Sequence, residues 1–327
     1  MHSPAEPDLP LIRRRDRPGE PFDYRRVRRA LASGKVTRVA PGTFLDRDRW
    51  LSTSPVEKHR LRVIEAAERM RKPAVFALFA AAAWWNMEIL GPWPTLIDVR
   101  VPRDYPGRST GLIRRHAWGT DGIELVEWGR HAVTSPAQTA IDLASVLDRL
   151  HGVVVLDQAL WRRREGGPLT TWDELEAIHV ARETPRGAAR VRNAVADASE
   201  LSDSVRESQS RVLLKRLGFP EPLLQHPIPL TDGAFAFPDF YFPDRDHSGE
   251  FDGLGKYLDP ALLEGRTPEE ALIAEKDRED ALRRVVSRVS RWRTPALRRP
   301  RELYDILVAD GLPSSKYPPP SGLVLPD

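Results

Sequence analysis

At 327 residues, with 41% hydrophobic and 30% charged residues and a formal net charge of +3, the chain has the composition of a globular protein long enough for at least two domains, and neither a wholly disordered chain nor a basic tail fits it. Cysteine is absent, which excludes disulfides, zinc ribbons and thiolate chemistry. The N-terminus shows no apolar segment of signal-peptide length, and the longest apolar run, residues 74–85, falls well short of the ~20 residues of a membrane span, so the expectation is a cytoplasmic protein with no membrane partner.

Basic residues, mostly arginine, crowd residues 13–38, where the acids are Asp16, Glu20 and Asp23. Such a local excess in a near-neutral chain marks either a nucleic-acid face or a solvated helix face. After a proline-rich, flexible segment (residues 1–20), "FDYRRVRRALASG" predicts a short helix. Asp23 caps it, Val27 and Leu31 point inward, Arg25, Arg26, Arg28 and Arg29 point mostly outward, and Gly34 ends it. "KVTRVA" and "GTFL" follow as strands joined at Pro41 and Gly42. A helix followed by a basic hairpin has the order of the end of a winged helix-turn-helix. Over residues 21–50 this would put Arg25, Arg26, Arg28, Arg29, Lys35 and Arg38 on DNA, mostly on phosphates.

Ser54, Pro55 and Glu57 spell a capping box for the next helix. "AVFALFAAAAWWNM" predicts a buried strand running into a buried helix, and strands are expected at residues 96–102, 111–117 and 122–128. "HAVTSPAQTAIDLASVL" gives a short strand and then a helix opened by Ser135 and Pro136. That helix buries Ala140, Ile141, Leu143 and Ala144, with Asp142 as a hydrogen-bonded structural carboxylate. These elements make an α/β domain over residues 51–150. "GVVVLDQALWRRR", "TTWDELEAI" and "RGAARVRNAVADA" predict a helical connector over residues 151–200. His131, His151 and His179 have no metal-ligand spacing to one another.

Residues 201–312 read as helix, three strands, helix, strand, helix, followed by a tail over residues 313–327. The first helix carries Glu207, the three strands are "PLLQHPIPL", "AFAFPDFYF" and "HSGEFDG", and Thr267, Pro268 and Glu270 open the second helix. Asp239 and Glu250 fall on neighbouring strands, and Asp252 shares the face of Glu250 because strand side chains alternate. Carboxylates gathered on one face repel unless a cation sits among them, which points to a divalent-metal site, with a merely charged hairpin as the alternative.

"PDF" at residues 238–240, "EFD" at 250–252 and the helix-borne Glu207 together resemble the PD-(D/E)XK nuclease superfamily, and more closely its very-short-patch-repair-like branch, over residues 204–307. The resemblance implies a restriction-endonuclease-like α/β domain, with Asp239 and Glu250 as ligands of Mg²⁺ or Mn²⁺, Asp252 as a further acidic member and Glu207 oriented toward the site. The lysine of that superfamily would stand two residues after Glu250, where this chain has Asp252. Lys256 and Lys276 are the candidates for its role. In the other half, "RVAPGTF", "TSPAQTAIDLA" and "VLDQAL" resemble the AbiEi-type antitoxins of type IV toxin-antitoxin systems over residues 22–160. That implies a winged-helix DNA-binding unit, an α/β antitoxin domain, transcriptional autorepression and a cognate toxin. A full first helix of the DNA-binding unit is not evident before Phe22. The expectation is thus an α/β (α+β) chain that acts as a DNA-binding regulator of the antitoxin type with a nuclease-like C-terminal domain. The alternatives are an Mg²⁺-dependent DNA endonuclease of defence or repair, and a non-catalytic module whose acidic cluster meets a partner protein.

Overall fold

The computed structural model describes residues 10–13, 23–182, 186–253 and 267–325. The chain is mixed α and β and divides into two compact units, residues 1–160 with 168–196, and residues 161–167 with 197–327. Among the described residues no helix is long and apolar enough to cross a membrane.

The first unit opens with β1 (Ile12–Arg13), α1 (Tyr24–Ala32), β2 (Val36–Ala40) and β3 (Thr43–Asp46). Asp23 caps α1 as expected, accepting from the Arg26 amide at 2.8 Å. Gly34, at φ +69°, closes the helix as only a residue at ease in the left-handed region can. Gly42, at φ +74°, turns β2 back onto β3, and β1 adds a third strand in the order β1-β3-β2. β1 was not anticipated, because two residues carry no periodicity. Nor was α2 (Arg47–Ser52), although Asp46 announces it by accepting from the Asp48 and Arg49 amides. α3 (Pro55–Ala67) has the full capping box of Ser54 and Glu57. Its buried Glu65 takes Arg13 at 2.7 Å, Arg69 at 3.0 Å and the Thr43 hydroxyl at 2.5 Å, so one carboxylate ties β1, β3 and α3 together.

β4 (Val75–Phe76), α4 (Leu78–Trp84), β5 (Ile97–Arg100), β6 (Ile113–His116), β7 (Leu125–Trp128) and β8 (His131–Thr134) follow, and the strands form a mixed sheet in the order β6-β5-β4-β8-β7. α5 (Pro136–Val146) is buried from Pro136 to Ser145. Ser135 caps it, and α4, α6 (Arg149–Leu160), α7 (Trp172–Ala181) and α8 (Ala188–Val195) pack on it. The stretch read as a helical connector is therefore largely the outer helical layer of the first unit. α6 also stops at Leu160, short of the expected Trp161–Arg164 turn, as the chain heads into Gly166 and Gly167, both with positive φ.

The second unit contains α9 (Val205–Arg216), β9 (Leu223–Leu224), β10 (Ile228–Pro229), β11 (Phe235–Ala236), β12 (Phe240–Phe242), β13 (His247–Phe251), α10 (Pro268–Arg283), β14 (Arg288–Trp292), α11 (Thr294–Arg298) and α12 (Pro300–Ala309). Two expected strands each break in two. Gln225 sits at φ +50° ahead of Pro227, and Pro238, which has no N–H to give a ladder, interrupts the other. The main sheet runs β14-β13-β12-β9, with β13 and β14 parallel, and β10 and β11 pair separately. Phe240, Phe242, Phe251 and Trp292 face the apolar side chains of α9, α11 and α12, while Tyr241 and Val289 face Leu282 and Val286 around the end of α10. Gly249 is required at its position, since a Cβ there would meet the Trp292 ring at 2.8 Å.

Candidate functional site

Two groups of the expected site residues can be built from their elements. The first is α1 with the hairpin behind it. No residue of α1 is buried, and its first turn holds no acid. Arg25, Arg28 and Arg29 stand three and four residues apart and share a face, with Arg26 beside Arg29. All four are exposed, as are Lys35 and Arg38. Among the described residues no carboxylate pairs with Arg25, Arg26, Arg28 or Arg29, although such pairs are common elsewhere in the chain. Val27 is half-buried, but Leu31, expected inward, is 38% exposed. The reason is that, among the described residues, β2 is the main element on which α1 packs.

The second group is the acidic set of the second unit, and the structure divides it. Asp239 stands just before β12, and its Oδ2 accepts the Phe251 amide at 2.8 Å. Glu207, on α9, is near enough to Asp239 to feel its charge, and it closes the helix start: Glu207 Oε2 accepts the Asp203 amide at 2.8 Å and Oε1 accepts the Ser204 hydroxyl at 2.8 Å. Burial, with the Asp239 carboxylate as a second cause, pushes the Glu207 carboxyl up to about 8. Burial and the neighbouring Asp239 charge thus both disfavour the ionised form of Glu207 near neutral pH.

Glu250 is 6% exposed and is occupied on both oxygens, Oε1 by Arg278 at 3.3 Å and Oε2 by Arg291 at 2.5 Å. Arg291 also holds Glu279 at 3.2 Å. Asp252 is gripped by Arg293 at 2.6 Å. Strand alternation explains this division. Glu250 and Asp252 share the face of β13 opposite to Phe251, and so do Arg291 and Arg293 on the neighbouring parallel strand β14, in register at Glu250↔Arg291. Lys276 is exposed on α10, and Arg278, two residues on, is the cation that meets Glu250. Lys256 lies outside the described residues. Sequence reasoning missed all three arginines, although "VSRVSRWR" carries Arg291 and Arg293 at the alternation that would have aligned them with Glu250 and Asp252.

The donor set can be tested for a divalent ion on this arrangement. A metal held by Asp239 and Glu250 would have to displace two guanidinium groups from Glu250, and among the described residues no three His, Asp or Glu side chains gather as ligands. The residues as they stand do not fit a preassembled Mg²⁺ cage. What they do offer is a buried acid, Glu207, and a half-buried one, Asp239, beside an ion-paired acid.

No family model matches the chain. It is similar to two proteins of Mycobacterium tuberculosis, from strains CDC 1551 and H37Rv, both described as uncharacterized, each 29% identical over 142 residues, which is 43% of this chain and 51% of theirs. The chain spans about half the length of the curated relatives it matches.

Proposed function

We propose that the chain is a DNA-binding regulator of the AbiEi antitoxin type, with a winged-helix-like basic unit, a central α/β antitoxin-like domain and a C-terminal unit of PD-(D/E)XK nuclease-like ancestry. The observation that carries the reading is the row Arg25, Arg26, Arg28 and Arg29, exposed and without a carboxylate partner among the described residues, backed by the basic hairpin with Lys35 and Arg38. A surface that spends its own acids on its arginines has little to offer a phosphate; this one keeps its cations for a polyanion outside the chain. Fluorescence polarisation with duplex DNA tests it. Binding should be tight at about 50 mM salt and fall steeply toward about 200 mM, because each neutralised phosphate releases counterions. No affinity at the lower salt would refute the proposal.

A second reading, a Mg²⁺- or Mn²⁺-dependent DNA endonuclease, is favoured by the Glu207 and Asp239 pair, whose mutual repulsion a cation would relieve. It requires Arg278 and Arg291 to yield Glu250. Nicking of supercoiled plasmid with Mn²⁺, lost in Asp239→Asn, would favour this reading. Intact plasmid, with no shift of melting temperature on adding Mn²⁺, would leave the C-terminal unit as a structural or protein-binding module.

A further inference from the structure

A cavity of about 590 Å³ lies in the first unit, among β5, the β6–β7 connection, α5 and the ends of α7 and α8. Its size is within the range of small-molecule sites. Its charge is lopsided: Arg100, Arg103, Arg182, Arg186 and Arg190 line it against two carboxylates, Asp121 and Asp142. Asp142, which the sequence marks as structural, is indeed hydrogen-bonded, to Gln138 at 3.0 Å and Arg100 at 2.7 Å, and Arg182 stands 3.8 Å away. One buried carboxylate thus faces two guanidinium groups whose side chains are only 9% and 11% exposed. Burial pushes the Asp142 carboxyl up, against the opposing pull of Arg100 and Arg182.

The guanidinium of Arg182 is only partly satisfied. Its terminal nitrogens reach the Arg186 carbonyl at 3.0 Å and the Ile141 carbonyl at 3.4 Å, but its buried Nε–H has no hydrogen-bond partner among the described residues. A buried donor left unmade is destabilising, and a ligand oxygen that reached it would satisfy it. Trp118, with Arg100 5.7 Å from its ring centre, and Ile123, Val146 and Ile178 give the same cavity an apolar wall. Clustered guanidinium forks suit the paired oxygens of phosphates, and an aromatic ring in the same recess suits a base.

We propose that this cavity binds a nucleotide carrying at least two phosphates, with the phosphates among Arg100, Arg182 and Arg190 and the base toward Trp118. The inference is independent of the DNA-binding surface. Titration calorimetry on the full chain with ATP, ADP, pyrophosphate and adenosine tests it, with Trp fluorescence and melting temperature as second readouts. ATP and ADP should bind, quench Trp fluorescence and raise the melting temperature, and adenosine should do none of these. Arg190→Gln should weaken ATP at least tenfold. Among the described residues its side chain makes only long bonds, at 3.5 and 3.3 Å, to the Ser145 and Val146 carbonyls, so this variant keeps the test alive if Arg182→Gln fails to fold. Replacing the four arginines of α1 by alanine should leave ATP binding unchanged. The proposal is overturned if ATP does not bind at ~1 mM, if folded Arg190→Gln binds as wild type, or if adenosine or pyrophosphate alone matches ATP.

Discussion

The two ends of the chain use arginine in opposite ways. On α1, Arg25, Arg26, Arg28 and Arg29 are exposed and meet no carboxylate among the described residues. In the second unit Arg278, Arg291 and Arg293 are each spent on an acid, Glu250 or Asp252. The difference teaches that a charge-rich motif is not by itself a site. What matters is whether the fold supplies the counter-charge. Where it does, the charges hold elements together; where it does not, they are left to solvent counterions or to a partner.

The contrast can be broken most forcefully at α1. Changing Arg25, Arg26, Arg28 and Arg29 together to alanine should weaken duplex DNA by about 10³-fold at low salt and flatten the salt dependence by about three to four phosphate contacts. Because none of the four is buried, the urea midpoint should hardly move. An unchanged dissociation constant would show that these cations are ordinary solvated charge. The reverse outcome is expected for Arg291→Ala. Leaving the buried Glu250 and its neighbour Glu279 short of a cation should cost ~3 kcal/mol in urea unfolding, with DNA affinity unaltered.

The acid pair sharpens the comparison through pH. Glu207 has a native carboxyl raised to about 8, so the folded protein binds a proton that the unfolded chain has released above about 4.5. Stability contributed by this group is therefore full below the unfolded value and declines as pH rises toward 8. Glu207→Gln, which cannot ionise, should gain on the order of 2 kcal/mol over wild type near pH 8.5 and show little gain near pH 5. Parallel pH profiles for the two proteins would mean that Glu207 is already charged in the native state. A divalent ion that binds the pair would release the same proton, so the wild-type profile should flatten on adding Mn²⁺ if the endonuclease reading holds.

Local signals were the legible ones. Asp23, Ser54, Ser135 and Thr267 each stand at a helix start with a side-chain oxygen that accepts a first-turn amide, because a cap is decided within four residues. The α+β character and the β2–β3 hairpin followed from the same short-range chemistry. The acidic constellation was legible only as far as strand alternation carries: Glu250 and Asp252 do share a face. What sequence spacing could not give is the parallel register of β13 with β14, some forty residues apart, which puts Arg291 beside Glu250. Nor could it give the cavity around Asp142, whose arginines come from β5, α8 and the residues flanking β5, α7 and α8, and meet only once α5 is enclosed.

The smallest effect separates two neighbouring cations on α10. Lys276 was expected as the charge that would serve the acidic site, yet it is exposed, while Arg278 lies 3.3 Å from Glu250. Residues two apart on a helix point about 200° apart around its axis, so both cannot serve the same acid. Arg278→Ala should therefore cost about 1 kcal/mol, tempered because Arg291 still holds the other oxygen of Glu250. Lys276→Ala should stay within about 0.5 kcal/mol of wild type. A larger loss for Lys276 than for Arg278 would place the exposed lysine, and not the ion-paired arginines, at the centre of the acidic cluster.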